Sequence, residues 1–168
     1  ILFGVIGFAL ALVVYVTVFM GGSGGGPATV NGIDVAQTPG PRDASEHAHG
    51  PINVTIAGQE LDFSRSRFQR PAAFPKFHFE GGDGETWHGH ADAITLQYAM
   101  ATLGIGVTDS TVSFEGTTYR DSDPGTSVSV QVDGKDVDPK TYELSGSESV
   151  GDAGSGDFIR IVVTTDDS

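Results

Sequence analysis

Ten residues of this chain read Asn53-Val54-Thr55-Ile56-Ala57-Gly58-Gln59-Glu60-Leu61-Asp62, with alternate apolar residues leading into a glycine. The same pattern returns at residues 129–138, and residues 111–119 follow it as well. Alternation of this kind is typical of a strand with one buried face, and a glycine between two such runs is typical of a tight turn. The sequence therefore predicts three β-hairpins. Such hairpins are common enough to recur by chance, so the repetition alone does not indicate duplication.

One soluble helix is predicted between the first and second hairpins. Residues 94–103 carry a broad apolar face, Asp92 is a suitable N-cap and Gly104 a suitable stop. A closing strand is predicted at residues 158–163, after a loop rich in Gly, Ser and Asp. Hairpin, helix, further strands and a closing strand is the element order of a β-grasp sheet. The predicted fold class is α+β, with a β-rich, β-grasp-like domain of hairpins plus one helix.

The first twenty residues, Ile1 to Met20, are uncharged and apolar. About 20 such residues are what a helix needs to cross the hydrocarbon core of a membrane, so a transmembrane helix is predicted. A cleaved signal peptide is the alternative, but its apolar region would be shorter and a small-residue cleavage site would follow. The first downstream charge is Asp34 and the first base is Arg42. The positive-inside rule then predicts a single-pass cell-membrane protein with its C-terminal domain extracellular.

The composition limits the partners. A net charge of -13 makes a nucleic-acid partner unfavourable, because the two would repel each other. The acidic, lysine-poor surface is typical of a halophilic protein, since concentrated salt screens its charge repulsion.

Four regions are predicted. They are the transmembrane helix 1–20, a Gly/Pro-rich linker 21–46, an extracytoplasmic β-rich domain 47–165 that holds the histidines, and an acidic tail 166–168.

All five histidines lie between residues 47 and 90, in three places. The places are His47-Ala48-His49, His78 and His88-Gly89-His90. Residues two apart on a strand point to the same side, so each His-x-His motif predicts two neighbouring imidazoles.

The aromatic residues predict how the later histidines pair. Phe79 and Trp87 share a face if they stand opposite each other across a hairpin. His78 then lies opposite His88, and residues 81–85 form the loop. One face of this hairpin is predicted to be aromatic and buried.

The other face of the hairpin carries the candidate metal ligands, and the first His-x-His motif joins it if its segment lies alongside. Three or four converging imidazoles are what Zn(II) or Cu(II) requires, and the chain has no cysteine to supply a thiolate. Imidazole ligation favours copper by intrinsic affinity, so the predicted cofactor is a copper or zinc ion. The alternative is that the histidines are ordinary surface polar residues. The predicted ligands are His47, His49, His78, His88, His90 and Glu80, the last as a ligand or as an acceptor that orients an imidazole.

These residues resemble a group of membrane-anchored, histidine-rich extracytoplasmic proteins of bacteria and archaea. The group has an early His-x-His before a strand and a Gly turn, a later His-x-His followed by Asp and a helix, and a Val-x-Gly-Lys hairpin before a closing strand. Here the places are filled by residues 47–49, 54–58, 87–92 and 132–137. The resemblance spans about His47 to Val163 and implies this architecture and histidine set, in a haloarchaeal-type version. The chain departs from the group at Trp87 and Gly89 and in lacking the cysteines that some relatives carry.

Three functions compete. The first is a non-enzymatic, membrane-anchored surface module that binds copper or zinc through its histidines. The second is a structural subunit of a surface filament or membrane complex, which assembles through residues 1–20. The third is a zinc-dependent hydrolase with an open metal position and Glu80 as base. The sequence shows no nucleophile motif, so we predict no catalytic residue and prefer the first function.

Overall fold

The computed structural model describes residues 29–36, 39–43 and 45–166. The predicted transmembrane helix 1–20 lies outside the described residues, as do residues 167–168 of the predicted tail. Within the described ranges, no helix has the length and apolar character needed to cross a membrane. Strands take 37% and helices 10% of the structure, which confirms the predicted β-rich domain.

The described chain forms twelve short strands, one α-helix and one 3₁₀ helix. The helices are α1 (Leu96–Thr102) and the 3₁₀ helix (Val150–Ser155). The strands are β1 (Thr29–Val30), β2 (Ile33–Asp34), β3 (Ala48–Ile56), β4 (Gln59–Glu60), β5 (Phe77–His78), β6 (Thr86–Gly89), β7 (Gly106–Val107), β8 (Thr111–Phe114), β9 (Thr117–Arg120), β10 (Thr126–Val132), β11 (Lys135–Asp136) and β12 (Ile159–Thr165). The predicted closing strand is β12, which begins one residue later and ends two residues later than expected.

Four hairpins share one kind of two-residue turn. Both turn residues have positive φ, which matches the twist of the flanking strands and favours glycine at the second position. The turns are Asn31-Gly32, Ala57-Gly58, Glu115-Gly116 and Asp133-Gly134. The last three belong to the predicted hairpins β3–β4, β8–β9 and β10–β11, which are confirmed. The first belongs to β1–β2, which lies inside the segment predicted as a linker.

Strand β3 occupies the centre of the main sheet, whose order is β11-β10-β12-β3-β6-β5. The second half of β3 pairs in parallel with β12, and its first half pairs antiparallel with β6. Strand β4 also pairs with the end of β3, while β7, β8 and β9 form a separate sheet. The first half of β3 therefore lies beside the β5–β6 hairpin that carries the later histidines.

Helix α1 begins later than the sequence predicts. Its N-cap is Thr95, whose hydroxyl accepts a hydrogen bond from a backbone N–H of the first turn at 3.2 Å. The predicted cap Asp92 was wrong, because the chain between Asp92 and Thr95 is not helical: the carbonyl of Ile94 accepts from the backbone N–H of Leu144 at 2.8 Å. Gly104, with φ +78°, follows the helix as predicted.

The main core lies between the sheet and α1, all of whose residues are buried. On the β5–β6 hairpin, Phe77, Phe79 and Trp87 are 0% exposed. The ring of Phe79 stacks on Phe63, with centroids 4.8 Å apart. The predicted aromatic face is therefore buried, and it fixes which face of this hairpin the histidines occupy.

Part of the segment before the domain lies against it. The Asn31 side chain donates hydrogen bonds to the carbonyls of Gly104 at 2.9 Å and Ser113 at 3.1 Å. Further along, the backbone N–H of Asp43 donates to the carbonyl of His90 at 3.0 Å. Residues just before the first His-x-His motif therefore run beside the second one.

Candidate metal centre

Three of the five histidines lie on three adjacent strands of the main sheet. His88 on β6 stands opposite His49 on β3 and opposite His78 on β5. The predicted pairing of His78 with His88 is thus confirmed, and β3 lies alongside. His47 precedes β3 by one residue and His90 follows β6 by one residue, so these two form a second row beside the first.

The five imidazoles form one continuous cluster. Ring centroids within it lie 4.6 to 6.5 Å apart. The pairs in contact are His47–His90, His49–His88, His78–His90, His47–His49, His78–His88 and His88–His90. The sequence predicted His78, His88 and His90 on one face, joined by the first motif if its segment lay alongside, and the structure brings all five rings together.

Four of the five histidines are buried. The exposed fraction is 2% for His49, 4% for His78, 6% for His88 and 5% for His90, whereas His47 is exposed. Side chains on both faces of the β5–β6 hairpin are therefore buried, the aromatic residues on one face and His78 and His88 on the other. Histidine is intermediate in its tendency to be buried, so four buried neighbours are unusual for ordinary surface polar residues.

Backbone carbonyls fix the proton positions of three of these rings. The Nδ1 atoms lie 2.9 to 3.1 Å from carbonyl oxygens. A carbonyl can only accept, so each Nδ1 carries the proton and each Nε2 keeps its lone pair. The pairs are His49 with Ser147, His78 with Phe74, and His90 with Glu46. Metal-ligating histidines are commonly held in this way, with the second nitrogen donating to a carbonyl or carboxylate.

A strap formed by residues 145–157 pairs with β3 at His49 through an antiparallel bridge from Ser147. Ser147 exchanges two backbone hydrogen bonds with His49, at 2.8 and 2.9 Å. Glycines allow this approach: a Cβ on Gly146 would lie 2.5 Å from the His49 nitrogen, and one on Gly156 would lie 2.0 Å from its carbonyl oxygen. The strap also holds Asp157, whose carbonyl accepts from the Trp87 indole at 3.1 Å.

Glu80 lies at the rim of the cluster with its side chain 50% exposed. Its carboxylate is 3.5 Å from Nε2 of His78 and 3.7 Å from Nδ1 of His88. The His78 Nε2 is buried and has no hydrogen-bond partner in the described structure. A nitrogen lone pair that faces a carboxylate is unfavourable, and a proton or a metal cation between them removes the repulsion.

The electrostatic environment keeps the imidazoles of His88 and His90 neutral at pH 7. Burial, helped by the neighbouring His49, lowers the pKa of His88 from 6.5 to about 4, although Glu80 opposes the shift. Burial, helped by His78, also lowers the pKa of His90. Metal ions bind the neutral form of imidazole, so these shifts leave both rings ready to act as ligands at neutral pH.

The rings as they stand do not yet surround a common point. Within the described ranges, no three His, Cys, Asp or Glu side chains are placed so that they could hold a metal ion. His78 lies within 7° of parallel to His88 and within 17° of His90, and stacked rings do not aim their lone pairs at one position. An ion at this cluster therefore requires some of the rings to turn.

The structure brings together all six side chains that the sequence singled out. It adds the carbonyls of Glu46, Phe74 and Ser147, for which a sequence carries no signal because every residue has one. The glycines at 146 and 156 were the available signal, since a glycine often marks a close approach of two chain segments.

Comparison with family models, with curated proteins and with solved structures gave no match.

Proposed function

We propose that this chain is a non-enzymatic module that binds a transition metal ion, copper or zinc, through its histidine cluster. The observation that carries the proposal is the anchoring of His49, His78 and His90. Each is buried, and each commits Nδ1 to a backbone carbonyl. The remaining Nε2 lone pairs belong to a cluster that contains no thiolate and has a carboxylate at its rim. Among the described side chains, the Nε2 of His78 is left buried without a hydrogen-bond partner, which a purely structural histidine has no reason to do.

Ring spacing supports the same proposal. Metal–nitrogen bonds of about 2.0–2.1 Å put the ring centroids of imidazoles on a tetrahedral ion about 5 Å apart. The observed separations of 4.6 to 6.5 Å bracket that distance. The strands therefore already supply the spacing, and the change that binding requires is a turning of rings.

The orphaned nitrogen of His78 supports a bound cation close to Glu80. A buried polar atom without a partner costs about 1–3 kcal/mol. Binding a positive ion to the cluster offsets the repulsion between this nitrogen and the carboxylate, and metal binding then stabilises the fold. Metal loading is expected to raise the thermal unfolding temperature.

The setting of the module is part of the proposal. The apolar run 1–20 would hold the domain at the cell surface, which favours imidazole over thiolate as a ligand because that compartment is oxidising. A β-grasp-like architecture is supported by the parallel pairing of β3 with β12 and by α1 following the first hairpin. A version that lacks residues 1–20 is expected to leave the membrane fraction, whereas the full chain is expected to remain in it.

A zinc-dependent hydrolase is the second candidate, and the position of Glu80 favours it. The carboxylate is half-exposed beside two imidazoles, where a base could reach a metal-bound water. Turnover of ester or peptide substrates that stops in Glu80→Gln while zinc remains bound would support the enzyme. The filament or membrane-complex alternative has its support in the apolar sequence 1–20 alone.

Metal analysis tests the proposal. The chain would be produced without a histidine tag, exposed to Cu(II) and Zn(II), passed through gel filtration and analysed by mass spectrometry of the elements. Wild type is expected to retain about one equivalent of metal. The double variant His49→Gln/His88→Gln is expected to retain none, and Asp92→Asn, an exposed site beside the cluster, serves as control. Wild-type protein that leaves the gel-filtration column without bound metal would contradict the proposal.

A further inference from the structure

Residues 29–36, 39–43 and 45–46 form a belt that lies against residues 90–107 of the domain. The two segments run in opposite directions and are joined by a series of hydrogen bonds. The bonds link Asn31 to Gly104 at 2.9 Å, Ala36 to Gln97 at 2.8 Å, Gly40 to Asp92 at 3.1 Å and Asp43 to His90 at 3.0 Å. The belt therefore connects the C-terminal end of α1 with the histidine cluster.

The far end of the belt is held at the β1–β2 turn. The Asn31 side-chain amide donates to the carbonyls of Gly104 and Ser113, at 2.9 and 3.1 Å, and the Ser113 hydroxyl donates to the Asn31 carbonyl at 3.3 Å. Gly106 permits this contact, because a Cβ there would lie 2.7 Å from the Val30 carbonyl oxygen. One amide side chain thus ties the hairpin to two carbonyls of the domain.

Two buried polar side chains hold the middle of the belt. Gln97, 1% exposed on α1, accepts from the Ala36 backbone N–H at 2.8 Å and donates to the Val107 carbonyl at 2.9 Å. Lys76, 6% exposed, donates to the Pro39 carbonyl at 3.1 Å. Both side chains satisfy buried polar atoms through the belt, so the belt is part of the folded domain and not a free linker.

The near end of the belt holds His90 twice. The backbone N–H of Asp43 donates to the His90 carbonyl at 3.0 Å, and the Glu46 carbonyl lies 3.1 Å from Nδ1 of the His90 ring. The first bond fixes the His90 backbone, and the second keeps the ring proton on Nδ1. A belt that lifts from the domain takes both bonds away, and the ring is then able to carry its proton on either nitrogen.

The belt is bound less firmly than the sheet. Of its described residues only Pro39 is buried, and the others are half-buried or exposed. Segments that bury few apolar side chains open locally at a lower free energy than the whole domain. The belt is therefore able to lift while the sheet and α1 stay folded.

We infer that the belt is a latch that orients His90, and that Asn31 is a positioning residue at the far end of this latch. With Asn31 bound, the belt lies down and His90 keeps the Nε2 lone pair for a ligand. With Asn31 released, the belt lifts and His90 loses that orientation. The effect on an ion rests on the proposed metal-binding function, and linkage then requires a bound ion to hold the belt down.

Asn31→Asp tests the latch, because Asp keeps the turn preference of Asn but places a carboxylate against two carbonyl oxygens. Amide hydrogen exchange of the metal-free full chain, followed by nuclear magnetic resonance, reports on the belt. The amides of Ala36, Gly40 and Asp43 are expected to exchange about tenfold faster or more, since two ordinary hydrogen bonds are lost. The amide of Ile161, buried in β12, is expected to change less.

The nitrogen chemical shifts of the His90 ring report on the near end of the belt. In wild type they are expected to show the proton on Nδ1, and in Asn31→Asp they are expected to move towards a mixture of the two tautomers. A merely structural role for Asn31 would lower stability without changing this signature. The Zn(II) affinity of Asn31→Asp, measured by competition with a chelator, is expected to fall by about tenfold.

Asn53→Asp is the matched control. The Asn53 side-chain amide is also a donor, to Glu60, and lies outside the belt. The same change there is expected to leave the belt amides, the His90 tautomer and the zinc affinity unchanged.

Three results decide between the latch and its alternatives. An unchanged His90 tautomer in Asn31→Asp, or belt amides that exchange no faster than that of Ile161, would overturn the latch. An unchanged zinc affinity in a variant whose His90 has lost its orientation would overturn the link to metal binding. Wild-type protein that binds no zinc would contradict the proposed function, and the two measurements on the metal-free chain would still decide the latch.

Discussion

His49 and His88 stand directly opposite each other on β3 and β6, with ring centroids 4.7 Å apart and ring planes at 87°. This pair joins the two halves of the cluster, since His47 and His90 extend it along the strands. Both rings are buried; the His49 ring is hydrogen-bonded to the Ser147 carbonyl of the strap 145–157, and the His88 ring lies beside Glu80. The cluster therefore depends on segments distant in sequence, and its integrity can be tested at each of them.

The strap offers a matched pair of glycines. A Cβ on Gly156 would lie 2.0 Å from the His49 carbonyl oxygen, whereas one on Gly154 would meet nothing within 4 Å. Gly156→Ala is expected to lower the free energy of unfolding by about 1–3 kcal/mol, because overpacking forces the strap away from β3. Gly154→Ala is expected to change it by less than about 0.5 kcal/mol. Urea denaturation measures both, and equal stability of the two variants would show that the strap does not press on His49.

Acid is expected to destabilise the metal-free protein. The pKa of His88 is about 4 in the folded chain and 6.5 without the fold, so the unfolded state binds more protons between these values. Stability is then fully present above pH 6.5 and is lost as the pH falls towards 4. His88 alone accounts for up to about 3 kcal/mol, and the lowered pKa of His90 acts in the same direction. Urea midpoints measured from pH 7 to pH 4.5 that do not fall would contradict the buried, neutral imidazoles.

The carboxylate of Glu80 is expected to strengthen metal binding without being needed for it. Glu80→Gln removes the charge near Nδ1 of His88 while keeping the shape of the side chain. Its metal affinity is expected to fall by about tenfold, as is usual when an outer partner of a ligand is lost. Competition with a chelator of known affinity measures the change, with Glu85→Gln as the exposed control. A loss of several thousandfold would instead make Glu80 a direct ligand.

Replacing Ala57 in the β3–β4 turn by Asn is expected to stabilise the fold. Ala57 has φ +48°, a conformation that costs most residues about 1–2 kcal/mol but that Asn adopts readily. Ala57→Asn is expected to raise the free energy of unfolding by about 1 kcal/mol. Ala72→Asn, at an exposed position, controls for the change in polarity. A gain of the same size in both variants would show that the positive φ at Ala57 is not the cause of the stabilisation.

The sequence predicted local structure better than it predicted burial. Alternation and glycine turns predicted the three hairpins, and the parity of Phe79 and Trp87 predicted that His78 faces His88. Both predictions depend on residues close together in the chain, because side chains alternate between the two faces of a strand with a period of two. The start of α1 was misplaced because Ile94 bonds to Leu144, a long-range contact. The same limit hid the strap at His49: the glycines at 146 and 156 are typical of a close approach between two chain segments, but they do not tell that the segment approached is β3.

Native mass spectrometry of the wild-type chain, titrated with Cu(II) in the presence of a competing chelator, is the most direct test of the metal site. The histidine cluster predicts a single ion retained at about one equivalent, with a second ion absent until copper is in large excess. A chain that stays metal-free, or a series of weakly bound ions with no preferred first one, would contradict a metal site at the histidine cluster.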